Sequence, residues 1–251
     1  MKNIKAAFWL LVLAPSVLWL LADTPVPEPF TYFSFRAVFI QYSGLIGIGV
    51  MSAAMLLSVR PKWIERPLNG LDKAYRLHKW LGITGLVFAV LHWWWAQGTK
   101  WMVGWGWLDR PSRRPRSEEV VSQFEQWLNG QRGLAESVGE WAFYAAVILI
   151  AIALIKWFPY RLFKKTHQWL AVAYLALAYH GLILVKTEYW TQPVGWLLAL
   201  LLLAGVASAL LVLAGRVGRK RRVPGVIESL ETLPGVRVVE GRIRLDSGWQ
   251  G

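Results

Sequence analysis

The sequence predicts an all-α membrane protein, a bundle of six transmembrane helices followed by a short β-type tail. Three observations predict it. Hydrophobic residues make up 55% of the 251, more than a soluble domain of this size needs. Six stretches, Ala6–Leu21, Ala37–Val59, Trp80–Ala96, Trp141–Phe158, Trp169–Val185 and Val194–Leu213, carry no Asp, Glu or Arg. Each approaches the roughly 20 residues that a helix needs to cross a bilayer core. Basic residues gather at alternate ends of these stretches. With the N-terminus inside, the inward segments hold 17 of the 28 Lys and Arg, as the positive-inside bias expects.

The first helix is expected over residues 6–22. Its surroundings, "MKNIKAAFWLLVLAPSVLWLLADTP", also have the build of a cleaved signal peptide. Leu20 stands at the −3 position of a cut after Ala22, where a small residue is expected, and this favours a retained helix. A proline-rich outer loop, "DTPVPEPF", leads to the second helix, 37–59, which ends at "RPKWIERP". The third helix is expected over 77–97 and is followed by a long outer loop, Gln97–Glu140. Within that loop Ser117 reads as an N-cap, with Glu118 and Glu119 at the positive end of a short helix. Val120, Val121, Phe124, Trp127 and Leu128 share one face, so this helix is expected to lie flat on the outer membrane surface.

The fourth helix, 140–158, precedes "KWFPYRLFKKT", which crosses the inner surface to the fifth, 167–186. The sixth, 194–215, ends in the stop-transfer run "GRVGRKRR". Many of the 17 tryptophans fall near helix ends, where interfacial anchoring accounts for them. Beyond Arg222 the composition changes. "VPGVIESLETLPGVRVVEGRIRLDSGWQG" reads as two strands about a Pro234–Gly235 turn, too short to bury a core alone. The expected division is therefore 1–222 and 223–251.

The net charge of +13 is a topology signal and a contact with anionic lipid heads, not a nucleic-acid footprint. Absence of cysteine removes disulfides, thiolate metal sites and iron–sulfur clusters. Gly47 and Gly49 form no dinucleotide fingerprint, because they lie within an apolar helix with no preceding strand. Helix packing explains them.

All four histidines sit in two apolar runs: "YRLHKWLGITGLVFAVLHWWW" holds His78 and His92, and "THQWLAVAYLALAYHGLILV" holds His167 and His180. Ionisable residues within membrane spans are functional candidates, and neutral imidazole is the commonest metal ligand. On an ideal helix Gly82, Gly85, Ala89 and His92 all fall within about 40° of His78, to one side or the other. The groove between the two ligands thus has almost no side chains. Their rise of about 21 Å is too long for one metal ion and suits two porphyrins, one near each membrane surface. The second pair rises about 19.5 Å. The two helices run the same way, so His78 is expected to face His167, and His92 to face His180.

A spacing of thirteen turns His180 about 140° from His167. The fifth helix must therefore twist, bulge or present its ligands from different azimuths. Ala171 and Ala178 leave room on one side, Ala173 and Ala176 on the other. Rival readings are a bundle whose histidines merely bond their neighbours, a proton relay, a non-haem metal site, and a transporter with structural histidines.

These two segments resemble the third and fifth helices of the ferric reductase-like transmembrane domain. That domain is shared by NADPH oxidases, ferric reductases and the haem-binding subunit of periplasmic methionine sulfoxide reductase. The resemblance covers residues 36–222. It implies two b-type haems, the inner one on His78 and His167 and the outer one on His92 and His180, with Gly82 and Gly85 beside them. It implies a bacterial inner-membrane protein with both termini cytoplasmic. The implied enzyme is an oxidoreductase of ferric reductase or NAD(P)H oxidase type, passing electrons from a cytoplasmic flavin to a ferric chelate or oxygen on the outer face. The tail from Val223 looks like the first strands of a flavin-binding barrel, and FAD and NAD(P)H are implied for chain that lies beyond these residues. The alternative is a haem-bearing subunit that delivers electrons to a periplasmic partner such as methionine sulfoxide reductase. Haem propionates need cations: Arg36 is the candidate at the outer haem, Arg76 and Lys79 at the inner. Arg110, Arg113, Arg114 and Arg116 are expected among solvent and lipid heads, with an anionic chelate or a periplasmic partner as the rival role.

Overall fold

The computed structural model describes residues 2–109, 123–155, 157, 159–218, 223–233, 235 and 238–246. The chain divides into two units, Met1–Gly215 and Arg216–Gly251. The first contains α1 (Lys2–Ala22), α2 (Tyr32–Ser58), α3 (Lys62–Leu68), α4 (Leu71–Trp93), α5 (Thr99–Gly104), α6 (Gln123–Leu154), α7 (Tyr160–Leu184) and α8 (Pro193–Leu213). A π-helical turn, Trp94–Gly98, joins α4 to α5, and a 3₁₀ turn, Thr187–Thr191, joins α7 to α8. Among the described residues four helices are long and apolar enough to cross a membrane: α1, α2, Glu125–Leu154 of α6, and α8. The two histidine helices, α4 and α7, have 23 and 25 residues but begin with charged turns.

Helix α2 is the centre of the unit. Thr31 and Ser34 close its N-terminus as a reciprocal capping box. Twelve of its residues are buried, among them Ser43, Ile46, Val50 and Ser52. It packs against α1, α4, α7 and α8. Gly47 faces Phe88 of α4 and Gly49 faces Leu201 of α8 at ordinary contact distances, so this pair serves close helix approach. On α8, Gly205 is more restrictive. A Cβ there would lie 2.0 Å from Tyr174 Oη, whose hydroxyl bonds Ser52 Oγ at 2.8 Å in the buried seam of α2, α7 and α8.

Helix α1 is part of the same core, with Ile4 and Trp19 fully buried. Its outer end is stapled to the 3₁₀ turn. Asp23 accepts from Lys186 and from the Tyr189 hydroxyl, and Trp19 Nε1 donates to the same hydroxyl at 3.0 Å. Burial alone would raise the Asp23 pKa, but the bonds from Lys186, Tyr189 and the Thr24 amide outweigh it and hold the carboxyl below its ordinary range. Burial, reinforced by Asp23, pushes the Tyr189 phenol up. A depressed carboxyl pKa contributes stability above the unfolded value, and that contribution is lost as pH falls through the folded one. Lys186 is partly exposed, so a contribution of about 1 kcal/mol or less is expected. Asp23→Asn should lower the unfolding temperature in detergent by about 2–4 °C at pH 7. The difference from the parent should shrink below about pH 4, and a difference independent of pH would contradict the ion-pair account.

Helix α6 departs from expectation. The sequence suggested a short amphipathic helix on the membrane surface, separate from a span starting near residue 140. Instead one helix of 32 residues runs from Gln123, so Trp127 and Leu128 lie in its first turns and not on a separate surface element. No proline interrupts the segment, and Ala135, Ala142 and Ala146 form its buried stripe. Ser117, Glu118, Glu119, Val120, Val121 and the arginines at 110, 113, 114 and 116 lie outside the described residues. The third and fifth predicted helices begin earlier than expected, at Leu71 and Tyr160, because their polar first turns stay helical.

The second unit is an antiparallel hairpin of β1 (Gly225–Leu233) and β2 (Val238–Leu245). The register slips between Ile227 and Ser229, leaving Glu228 as the extra residue of a bulge. Alternation then puts Ile227, Leu230, Val239, Ile243 and Leu245 on one face. Glu231, Glu240, Arg242 and Arg244 lie on the other. Both faces are exposed, and an isolated hairpin is marginally stable.

Candidate functional site

Helix α4 packs on α2, and α7 packs on α6 and α8. Among the described residues the backbones of α4 and α7 make little or no direct contact. Into the space between them project all four histidines. The ring centres of His78 and His167 are 5.9 Å apart, and those of His92 and His180 are 6.1 Å apart. A metal ion held by two opposed imidazoles, about 2.0–2.1 Å from each nitrogen, separates ring centres by about 6 Å once the ring radius is added. The pairing expected from the sequence is therefore present at both depths. Helix α7 is α-helical throughout, so it neither bulges nor breaks; its two histidines leave from different azimuths.

The orientation of each ring is set by backbone carbonyls. His78 Nδ1 lies 2.9 Å from Ala54 O on α2, His92 Nδ1 3.1 Å from Ile40 O on α2, and His180 Nδ1 2.8 Å from Ala135 O on α6. A carbonyl only accepts, so Nδ1 carries the proton in each and Nε2 keeps its lone pair for a ligand bond. His167 Nδ1 is buried with no partner among the described residues, and its ring stacks on Phe163 at 5.0 Å.

Two glycines that sequence reasoning missed make this possible at the His92–His180 pair. A helical carbonyl already accepts from the N–H four residues later. For Ile40 and Ala135 those residues are Gly44 and Gly139. With no Cβ at these positions the second lone pair of each carbonyl is open to an imidazole. A Cβ on Gly139 would lie 2.0 Å from His180 Nδ1, and one on Gly44 would lie 3.1 Å from His92 Cε1. The signal in sequence was a glycine on a neighbouring helix, but it becomes legible only once the facing carbonyl is known.

The His92–His180 pair lines a cavity of about 540 Å³, within the range of ligand pockets. Gly47, Ile48, Met51 and Leu198 line its apolar part; Arg36, Lys100, Arg132 and Lys186 supply cationic groups, and Glu136 and Glu140 anionic ones. Trp93 stacks on Phe143 at 5.4 Å and joins α4 to α6 beside it. Arg36 has a structural task here. Its Nε donates to Trp95 O and Thr99 Oγ1, both at 3.0 Å, and Nη2 donates to Ala96 O at 3.1 Å. The Trp95 and Ala96 carbonyls belong to the π-helical turn, a feature common at functional sites, and Thr99 opens α5 just after it. Arg36 thus ties α2 to the turn that follows His92.

The remaining sequence candidates separate. A Cβ on Gly82 would meet open space, whereas one on Gly85 would come within 2.9 Å of Met51 Cγ. Gly82 therefore has open space beside it, and Gly85 packs against α2. Arg76 and Lys79 are exposed on α4, and Arg76 lies about 160° around the helix from His78.

No group of three or more His, Cys, Asp or Glu side chains converges on a metal position among the described residues. A metal held between either imidazole pair would draw its other donors from elsewhere, as iron in a porphyrin does. The paired imidazoles, the tautomers fixed at three of them and the groove along α4 all fit that group. A family model described as the ferric reductase like transmembrane component matches residues 43–178, which include His78, His92 and His167; His180 lies two residues beyond the match. No curated protein matches the chain.

Proposed function

This chain belongs to the ferric reductase-like transmembrane family, and on that premise we propose that it carries electrons across a bacterial inner membrane. The donor is a cytoplasmic flavin fed by NAD(P)H. The acceptor is a ferric chelate or oxygen on the outer face. Two b-type haems, one on His78 and His167 and one on His92 and His180, supply the one-electron carriers when bound. The observation that carries this reading is the pair of imidazole contacts, 5.9 and 6.1 Å between ring centres, at two depths of one gap.

The chain's own residues hold and shield those carriers. The carbonyls of Ala54, Ile40 and Ala135 fix three imidazoles, and Gly44 and Gly139 leave the room for two of them. Arg36, Lys100 and Arg132 line the cavity and are the candidates to meet anionic groups there; at the inner depth Lys79 is the candidate, since Arg76 lies on the far side of α4 from His78. In this reading α4 and α7 complete six spans, with both termini cytoplasmic. Residues 1–222 form the haem-bearing domain and 223–251 begin a flavin-binding barrel. The apolar face of the hairpin supports that assignment, since such a barrel would cover it. Outward electron movement is favoured by an inside-negative potential, by about 2.3 kcal/mol per 100 mV for a full crossing.

The test is a reduced-minus-oxidised spectrum of the purified chain after expression with ample haem. A b-type difference spectrum is expected, and a colourless preparation overturns the reading.

A further inference from the structure

Three of the four ligand rings are anchored through Nδ1 and one is not. Ala54, Ile40 and Ala135 offer carbonyls to His78, His92 and His180, while His167 Nδ1 is buried with no partner among the described residues. Buried polar atoms are rarely left so, and each exception calls for a reason. One turn before His167, Phe163 lies nearly parallel to the imidazole, with ring centres 5.0 Å apart and planes 22° apart. The phenyl ring holds the imidazole by its face and offers no acceptor in the ring plane.

The consequence is electronic. An acceptor on Nδ1–H raises the basicity of the other nitrogen, so an imidazole without one is a weaker donor to iron. A weaker axial donor stabilises ferric iron less, and the reduction potential rises; axial ligation and hydrogen bonding around it are the levers that set such potentials. Resting on the haem reading above, we propose that His167 and Phe163 make the His78–His167 site the higher-potential of the two. Phe163 is a positioning residue: it orients the ring while withholding a hydrogen bond. With the orientation proposed above, this site faces the cytoplasmic donor, so electron uptake is favoured there and release outward draws on the membrane potential.

The experiment is an equilibrium redox titration of the haem-loaded full chain, followed by b-type absorbance, for the parent, Phe163→Gln and Phe163→Leu. The parent should resolve into two components. Phe163→Gln places an amide oxygen beside His167 and should move only the higher component, to more negative potential. Phe163→Leu removes the stack without offering an acceptor. It should broaden one low-spin electron paramagnetic resonance signal and shift neither component downward. A single component in the parent overturns the proposal, as does movement of the lower component, or of neither, in Phe163→Gln. Absence of any b-type absorbance overturns the electron-transfer reading itself, so the two failures are distinct.

Discussion

His92→Ala is expected to lose about half of the bound haem and to stop electron delivery to any outer acceptor, while the His78–His167 site still fills. The loss is confined because the two pairs are built on separate contacts. His92 and His180 rest on Ile40 of α2 and Ala135 of α6, whereas His78 rests on Ala54 of α2, and His167 on Phe163. Removing one of only two protein ligands leaves nothing to replace it, since no third His, Cys, Asp or Glu converges there among the described residues. Haem content per protein, read by pyridine haemochromogen, and reduction of an impermeant ferric chelate by inside-out against right-side-out vesicles measure the two effects. Full haem with full outward activity would contradict the ligand assignment.

What the sequence revealed of this site, and what it hid, follows from where the information lies. The pairing of His78 with His167 and of His92 with His180 was legible because it rests on side-chain identity and helical rise. The rotation of His180 about α7 was legible only as a problem. Its solution is the carbonyl of Ala135, and a backbone carbonyl is present at every residue, so no residue type marks it. The same is true of Ile40 and Ala54. Gly85 was expected in the groove for lack of a side chain, but small residues serve helix packing equally well, and Met51 occupies that space.

Helix boundaries failed for a related reason. Apolarity marks the part of a helix that lipid or core covers. The turns of α6 from Gln123 to Glu140 are polar and contain Gly130 and Gly133, each of which weakens a helix by about 1 kcal/mol relative to alanine. They stay helical because α7 packs along them, with Tyr179 donating to Gln131 at 3.1 Å and the Ala135 carbonyl engaged by His180. Helix length here is a tertiary outcome, which periodicity in one segment does not report. The hairpin, by contrast, is local, and alternation about Gly235 was enough to find it.

Gly139→Ala should disable the His92–His180 site nearly as fully as loss of a ligand. The new methyl would stand 2.0 Å from His180 Nδ1 and 2.5 Å from Cγ, distances that real carbon atoms do not tolerate. Helix α6 cannot retreat easily, because Ala135 and Ala142, one turn to either side, are buried. The imidazole must therefore swing away, breaking its bond to Ala135 and leaving His92 without its opposite. Loss of such an orienting partner alone typically lowers metal affinity about 10–100-fold, and misplacement of the ring adds to it. Gly44→Ala is the graded control. Its methyl would sit 3.1 Å from His92 Cε1 and 3.2 Å from Nδ1, so a shift of a few tenths of an ångström relieves it and the site should survive with a perturbed spectrum. Helix propensity favours alanine over glycine at both positions, so neither variant should lose helix content by circular dichroism. If Gly139→Ala keeps the parent's full haem complement and an unshifted spectrum, the carbonyl-and-glycine arrangement does not govern ligand placement.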